Sequence, residues 1–249
     1  MDIMDSNKIY IYNFTNVYRE ESFYKNDNFK FIDLSNISST RYILGDEGYL
    51  NIKKYFTKKE LNGIHFIDSG DYHYLTKLFC DLIDYDFSLI VFDHHSDMKD
   101  DDFINCITCG NWINHVKNNK FLKKIIIVGP KVENKGIINN ITESNIINAS
   151  SLEEAKMLIS DYPVYISIDK DILDNSVIDT NWDQGLLKEN DLLKAIDIIF
   201  NNDRVIGIDI CGECEENISY YNEIKKDDKI NSDFINEIEI DLKENENEG

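Results

Sequence analysis

Proline is nearly absent from this chain and glycine is sparse: two prolines and 11 glycines among 249 residues. No Pro-, Gly- or Ser-rich linker divides it, so a single large core is expected. No apolar run approaches the ~18 residues that a membrane-spanning helix needs. The polar N-terminus lacks the basic-then-apolar layout of a secretory signal, and a cytoplasmic chain is expected. Basic residues are in deficit, 26 Lys and Arg against 47 Asp and Glu, a net charge of −21. Such a surface repels phosphate backbones, which argues against nucleic acid as a partner, and it favours cationic ligands. The five cysteines include two C-x-x-C pairs, Cys106/Cys109 and Cys211/Cys214. That is zinc-site spacing, but the pairs lie far apart in sequence, and reduced buried thiols are the commoner role.

What is present sits at the ends of apolar runs. Ser88-Leu-Ile-Val-Phe leads directly into Asp93, His95 and Asp97. Residues at i, i+2 and i+4 of an extended segment share a side, so the three can converge on one ion or ion pair. Carboxylates with imidazole and no thiolate suit Mn²⁺ or Fe²⁺ better than a thiolate-rich zinc site. Tyr162-Pro-Val-Tyr-Ile-Ser-Ile discharges likewise into Asp169 and Asp171. Ile64–Asp68 precedes Gly70-Asp71-Tyr72-His73, and Arg204–Ile210 precedes Cys211-Gly212-Glu213, whereas Lys124–Val128 ends in Gly129-Pro130 without ligands.

The Ile- and Val-rich runs read as doubly buried parallel strands. Helical stretches lie between them, one opening on a capping box at Ser150-Ser151-Leu152-Glu153 and one over Glu189–Phe200 with apolar residues at helical spacing. The alternation predicts an α/β fold, a three-layer αβα sandwich around a mainly parallel sheet. Ligands bind such sheets outside the carboxyl ends of the strands, where both acidic clusters lie. One domain is expected over residues 1–236. An acidic tail follows at 237–249, fraying after an amphipathic turn around Phe234, Ile238 and Leu242.

These motifs resemble the arginase/agmatinase (ureohydrolase) superfamily over residues 64–213. D-x-H-x-D matches at Asp93, His95 and Asp97, and S-x-D-x-D at Ser167, Asp169 and Asp171. The G-G-D-H segment matches loosely at Gly70–His73, with Tyr72 inserted. Asn181–Gly185, containing Asp183, stands where the family has a Gly-rich loop. The resemblance implies two Mn²⁺ ions, one held by His73, Asp93, Asp97 and Asp169 and the other by Asp93, His95, Asp169 and Asp171. It implies hydrolysis of a C–N bond in a guanidino substrate such as arginine, agmatine or peptidyl arginine, with an arginase-like branch suggested by Cys109-Gly-Asn-Trp112. Asp97 is then the first proton acceptor and His115 the proton shuttle, its spacing two residues long. Glu213 would pair with the guanidinium, with Asp209 as its competitor. Asn111 and Asp183 would contact substrate. The resemblance also allows a homo-oligomer. His65 reads as a hydrogen-bonded core residue and His94 as turned away from His95. Two alternatives stand beside this: a non-catalytic metal-binding protein on the same scaffold, and a DHH-type phosphoesterase suggested by Asp93-His94-His95. The latter needs an upstream His/Asp motif, and the first 64 residues contain no histidine.

Overall fold

The computed structural model describes residues 4–5, 8–25, 28–100, 106–129, 143–147, 159–215 and 221–248. The strands are β1 (Ile9–Asn13), β2 (Phe29–Asp33), β3 (Ile43–Leu44), β4 (Ile64–Phe66), β5 (Phe87–Phe92), β6 (Ile107–Thr108), β7 (Leu122–Val128), β8 (Glu143–Ile147), β9 (Val164–Asp169) and β10 (Val205–Cys211). Eight form one sheet in the order β2-β1-β4-β10-β9-β5-β7-β8, every pairing parallel. Strands β3 and β6 form a separate antiparallel pair.

Both faces of the sheet are covered, which is why its strands lack polar alternation. Ile90, Ile126, Val164, Ile166 and Ile208 look into one core. It is closed by α4 (Glu189–Asn202), through Leu192, Ala195, Ile196 and Ile199, and by α5 (Tyr221–Glu248), through Ile230, Phe234 and Ile238. Leu89, Val91, Ile125, Ile127 and Tyr165 look into the other. That core is closed by α1 (Asp46–Ile52) through Ile52, by α2 (Leu75–Cys80) through Leu75, Leu78 and Phe79, and by α3 (Trp112–Val116) through Trp112, Ile113 and Val116. Each fully buried aliphatic side chain contributes about 1.5–3 kcal/mol. The expected three-layer sandwich is thus what the chain forms.

The register positions the site. Phe66, Ile210, Ile168, Phe92 and Val128 lie side by side across five strands, all facing the α4/α5 core. One residue further along, Cys211, Asp169 and Asp93 therefore turn toward the α2/α3 layer. Asp97, Asp171, His73 and Gly129 follow at the same end of the sheet.

The expected helix over Glu189–Phe200 is α4. The one opening at Ser150–Glu153 lies outside the described residues. Helix α5 continues to Glu248 through the segment expected to fray, its Phe234 and Ile238 buried as the amphipathic pattern requires. Among the described residues no helix is long and apolar enough to cross a membrane.

Candidate metal centre

Six side chains from three strand ends converge. The His73 Nδ1 lies 3.2 Å from Asp93 Oδ2, 3.0 Å from Asp97 Oδ2 and 3.6 Å from Asp169 Oδ2. The His95 Nδ1 lies 2.7 Å from Asp171 Oδ2 and 3.7 Å from Asp93 Oδ1. Two donor groups result, His73/Asp93/Asp97 and Asp93/His95/Asp171, and each is compact enough to hold a cation. They share Asp93. His73 Nδ1 and Asp93 Oδ2 are buried with no hydrogen-bond partner, a condition that costs free energy unless a bound species completes them. The inserted Tyr72 is accommodated because Gly70–Tyr72 winds into a 3₁₀ turn. At three residues per turn, His73 stands over Gly70, while Tyr72 stacks on Phe14 at 4.1 Å.

The crowding of charge shifts titrations within the cluster. Burial and the Asp171 charge push Asp169 up to about 7; burial and the Asp93 charge push Asp171 up to about 6. Hydrogen bonds to Asp171 and Asp93 raise His95 to about 11. Burial opposes an imidazolium at His73, but the Asp93 and Asp97 carboxylates facing its Nδ1 outweigh it and hold its pKa well above the ordinary value. Crowded buried carboxylates of this kind call for positive charge, from protons or from a bound cation. The donor set fits a hard divalent ion.

Each imidazole is held from behind. His73 Nε2 donates to Ser167 Oγ at 3.0 Å, and Ser167 donates to Asp209 Oδ1 at 2.7 Å, where Thr76 also donates at 3.0 Å. His95 Nε2 faces Asp183 Oδ1 at 3.3 Å. Such partners fix the tautomer and orientation of a metal-binding histidine. Asp97 has a left-handed backbone, φ 47°, uncommon for a residue with a side chain. It is held there by the Trp112 indole, whose Nε1 donates to Asp97 Oδ2 at 2.5 Å, and by the Ile113 amide on its carbonyl at 3.2 Å. Trp112 was not anticipated from sequence; its signal was the apolar indole opening a helix just after Gly110-Asn111. Gly212 turns at φ +101°, and a Cβ there would stand 2.7 Å from Asp169 Oδ1, so only glycine lets the chain pass this carboxylate. The centre opens on a cavity of about 120 Å³ whose wall includes Gly70, Lys99, Cys109, Gly110 and Trp182. Beside it a second cavity of about 610 Å³ is lined by Arg41, Asp71, Trp182 and Glu215.

Four of the residues singled out in the sequence lie away from the cavity. Glu213 does not reach the cavity: its side chain is fully buried, ion-paired with Lys170 Nζ at 2.5 Å and bonded to Asn231 at 2.9 Å. The Gly212 turn sends it toward α5 and away from the acidic cluster. Asp209 lies beneath His73 as an acceptor, not at the mouth. Asn111 is spent on its own loop, accepting from the Thr108 amide at 2.7 Å and donating to the Cys106 carbonyl at 3.2 Å. His115, three residues beyond Trp112 on α3, does not line the cavity; burial and Lys77 lower its pKa. Asp183 sits at the rim, against His95. His65 is a core residue, its Nδ1 2.9 Å from the Ile208 carbonyl and its Nε2 2.7 Å from that of Glu60. All five cysteines are free. Among the described residues no four-cysteine group converges, and Cys211, beside His73 and Asp169, is kept a thiol by burial.

Fold and site together define an α/β protein with an acid–imidazole cluster at the carboxyl ends of parallel strands. A model of the arginase family matches residues 61–213, and the chain belongs to that family, which removes the phosphoesterase alternative. An uncharacterised protein of Thermotoga maritima is 31% identical over 205 residues, 82% of this chain and 79% of that protein. Among solved structures, the agmatine ureohydrolase of Thermoplasma volcanium superposes with a TM-score of 0.67 at 14% identity, covering 96% of this chain and 92% of its own. A hypothetical agmatinase from Burkholderia thailandensis gives 0.65 at 15%, covering 95% and 87%. The Trypanosoma cruzi formiminoglutamase, solved with Mn²⁺, gives 0.65 at 11%, covering 93% of each. At these identities the structural likeness carries the fold. Family membership supports an amidinohydrolase-type enzyme.

Proposed function

We propose that this chain is a dinuclear manganese-dependent hydrolase that cleaves a C–N bond of a guanidino substrate. One observation carries the proposal: two compact donor groups share Asp93, with His73 Nδ1 and Asp93 Oδ2 buried and making no hydrogen bond. In this reading His73, Asp93, Asp97 and Asp169 would hold one ion, and Asp93, His95, Asp169 and Asp171 the other. Carboxylates with two imidazoles suit Mn²⁺. When bound, the metals would supply Lewis acidity and a water of lowered pKa, which matters because a resonance-stabilised guanidinium resists neutral water. The protein's own groups do the rest. Asp97, anchored by the Trp112 indole, is the carboxylate placed to accept a proton from the attacking water. Ser167 with Asp209, and Asp183, hold the two imidazoles in their tautomers. Trp182 and Gly70 wall the cavity in which the substrate would sit. His115 stands apart, so the leaving amine takes its proton through water.

The test is elemental analysis after manganese reconstitution, combined with urea release across free and peptidyl guanidines. Near two manganese equivalents and urea from at least one guanidine are expected, with Asp97→Asn abolishing turnover. Stoichiometric zinc on the cysteines with no manganese uptake would overturn the proposal. Full manganese loading with no guanidine cleaved would favour the non-catalytic alternative.

A further inference from the structure

Lys99 is the charged group on the cavity walls that the proposed chemistry leaves unused. Its neighbours are all engaged. Arg41, in the adjoining cavity, is neutralised by Asp71 at 3.0 Å and Glu215 at 2.6 Å. Asp183 faces His95 at 3.3 Å and His94 at 3.9 Å. The four aspartates are taken up by the two imidazoles and the ions they would hold. The Lys99 ammonium, in a chain with 21 more acidic than basic residues, has no hydrogen-bond or ion-pair partner among the described residues.

Its seat is nevertheless fixed. The Lys99 amide donates to the Gly110 carbonyl at 2.9 Å, and Asn114 Nδ2 donates to the Lys99 carbonyl at 3.0 Å. The side-chain stem lies along Gly110, where an added Cβ would stand 3.1 Å from Lys99 Cδ and 3.5 Å from Nζ. Gly110 thus leaves room for the lysine stem on the same wall as Cys109. The charge count points the same way. Among the residues that line this cavity, Asp93, Asp97, Asp169 and Asp171 balance two divalent ions, and Lys99 is left with an uncompensated charge. A guanidinium head adds another. A ligand with an amine at its far end would bring a third positive charge, whereas one ending in a carboxylate would supply the missing partner through a charge-assisted hydrogen bond.

We infer that Lys99 is the substrate's tail anchor and that the enzyme selects small guanidino acids over guanidino amines, an inference that rests on the hydrolase reading above. The test compares 4-guanidinobutanoate with agmatine, similar in length and opposite in tail charge. Urea release is measured on the manganese-loaded enzyme, and binding is measured separately by calorimetry. The wild type is expected to show at least a tenfold lower KM and Kd for the acid. Lys99→Met should erase that preference, and Lys99→Glu should reverse it toward agmatine, a switch that a merely structural role for Lys99 would not produce. A wild type that prefers agmatine, or a preference for the acid that survives in Lys99→Met, would overturn the inference while leaving the hydrolase intact. Manganese-loaded enzyme that releases urea from no free or peptidyl guanidine would remove the hydrolase reading itself, and the inference with it.

Discussion

Replacing Ser167 with alanine tests whether the serine of S-x-D-x-D belongs to the metal centre or only to the core. Ser167 is fully buried, and its hydroxyl links His73 Nε2 to Asp209 Oδ1. Truncation removes one oxygen and leaves a buried imidazole N–H without an acceptor, while Asp209 keeps its bond from Thr76. Stranding one buried donor costs about 1–3 kcal/mol. If the chain of bonds also orients the imidazole, metal affinity falls by about 10–100-fold, or roughly 1.4–2.7 kcal/mol. Ser88→Ala is the control. Ser88 is equally buried, on β5, and its hydroxyl pairs with Ser160 Oγ at 2.6 Å, away from the centre. Urea denaturation of the metal-free proteins should show comparable losses for the two variants, and a calorimetric Mn²⁺ titration should show weakened binding only in Ser167→Ala. Wild-type manganese affinity in Ser167→Ala, alongside a stability loss matching the control, would refute the orienting role.

Three further outcomes follow from buried charge. Lys170→Met strands Glu213 in the core with its cation removed and should cost about 3–5 kcal/mol in chemical denaturation; a near-neutral effect would refute the weight given to this buried pair. Asp203→Asn should stabilise the protein at pH 8 by about 1 kcal/mol, discounted because the carboxyl is only partly buried. Burial raises the Asp203 pKa to about 6, against ~3.9 in the unfolded chain. Its protonated form therefore favours the fold below ~3.9, and that advantage is lost as pH rises through 6; the gain of the variant should vanish in thermal melts near pH 4. His115→Ala should keep kcat within about twofold, well short of the 10²–10⁴-fold that removing a general acid–base group costs, and a loss on that larger scale in steady-state assays would restore the shuttle.

The sheet and the acidic cluster were legible because each is written in a short stretch of chain. Doubly buried strands need unbroken Ile and Val, and alternation at the ends of β5 and β9 sends Asp93 and Asp169 to one side. His73 was legible despite a broken motif because a single 3₁₀ turn absorbs the extra residue. What was not legible depends on directions that no local pattern encodes. One positive φ at Gly212 decides that Glu213 joins Lys170 and Asn231 of α5, an ion pair joining residues 43 positions apart in the chain. Asn111 looks like a ligand-binding side chain until its two hydrogen bonds to residues three and five positions back are seen. Trp112 and His115 share one short helix, and only the packing of α3 against Asp97 determines which of them meets the centre.

The order of strands in the sheet also dictates when the centre can come into being. His73 follows β4, and Asp93, His95 and Asp97 follow β5, so two-thirds of the donors have been synthesised by residue 97. Yet β4 and β5 are not neighbours. Strands β10 and β9 lie between them, and both leave the ribosome later. A nascent chain that stops short of β10 holds these four donors on strands that nothing yet sets side by side. Only insertion of the last two strands brings His73 against Asp93, so the centre is assembled by closure of the sheet. Any metal the centre holds can then be gripped by all six donors only on a chain complete through Cys211.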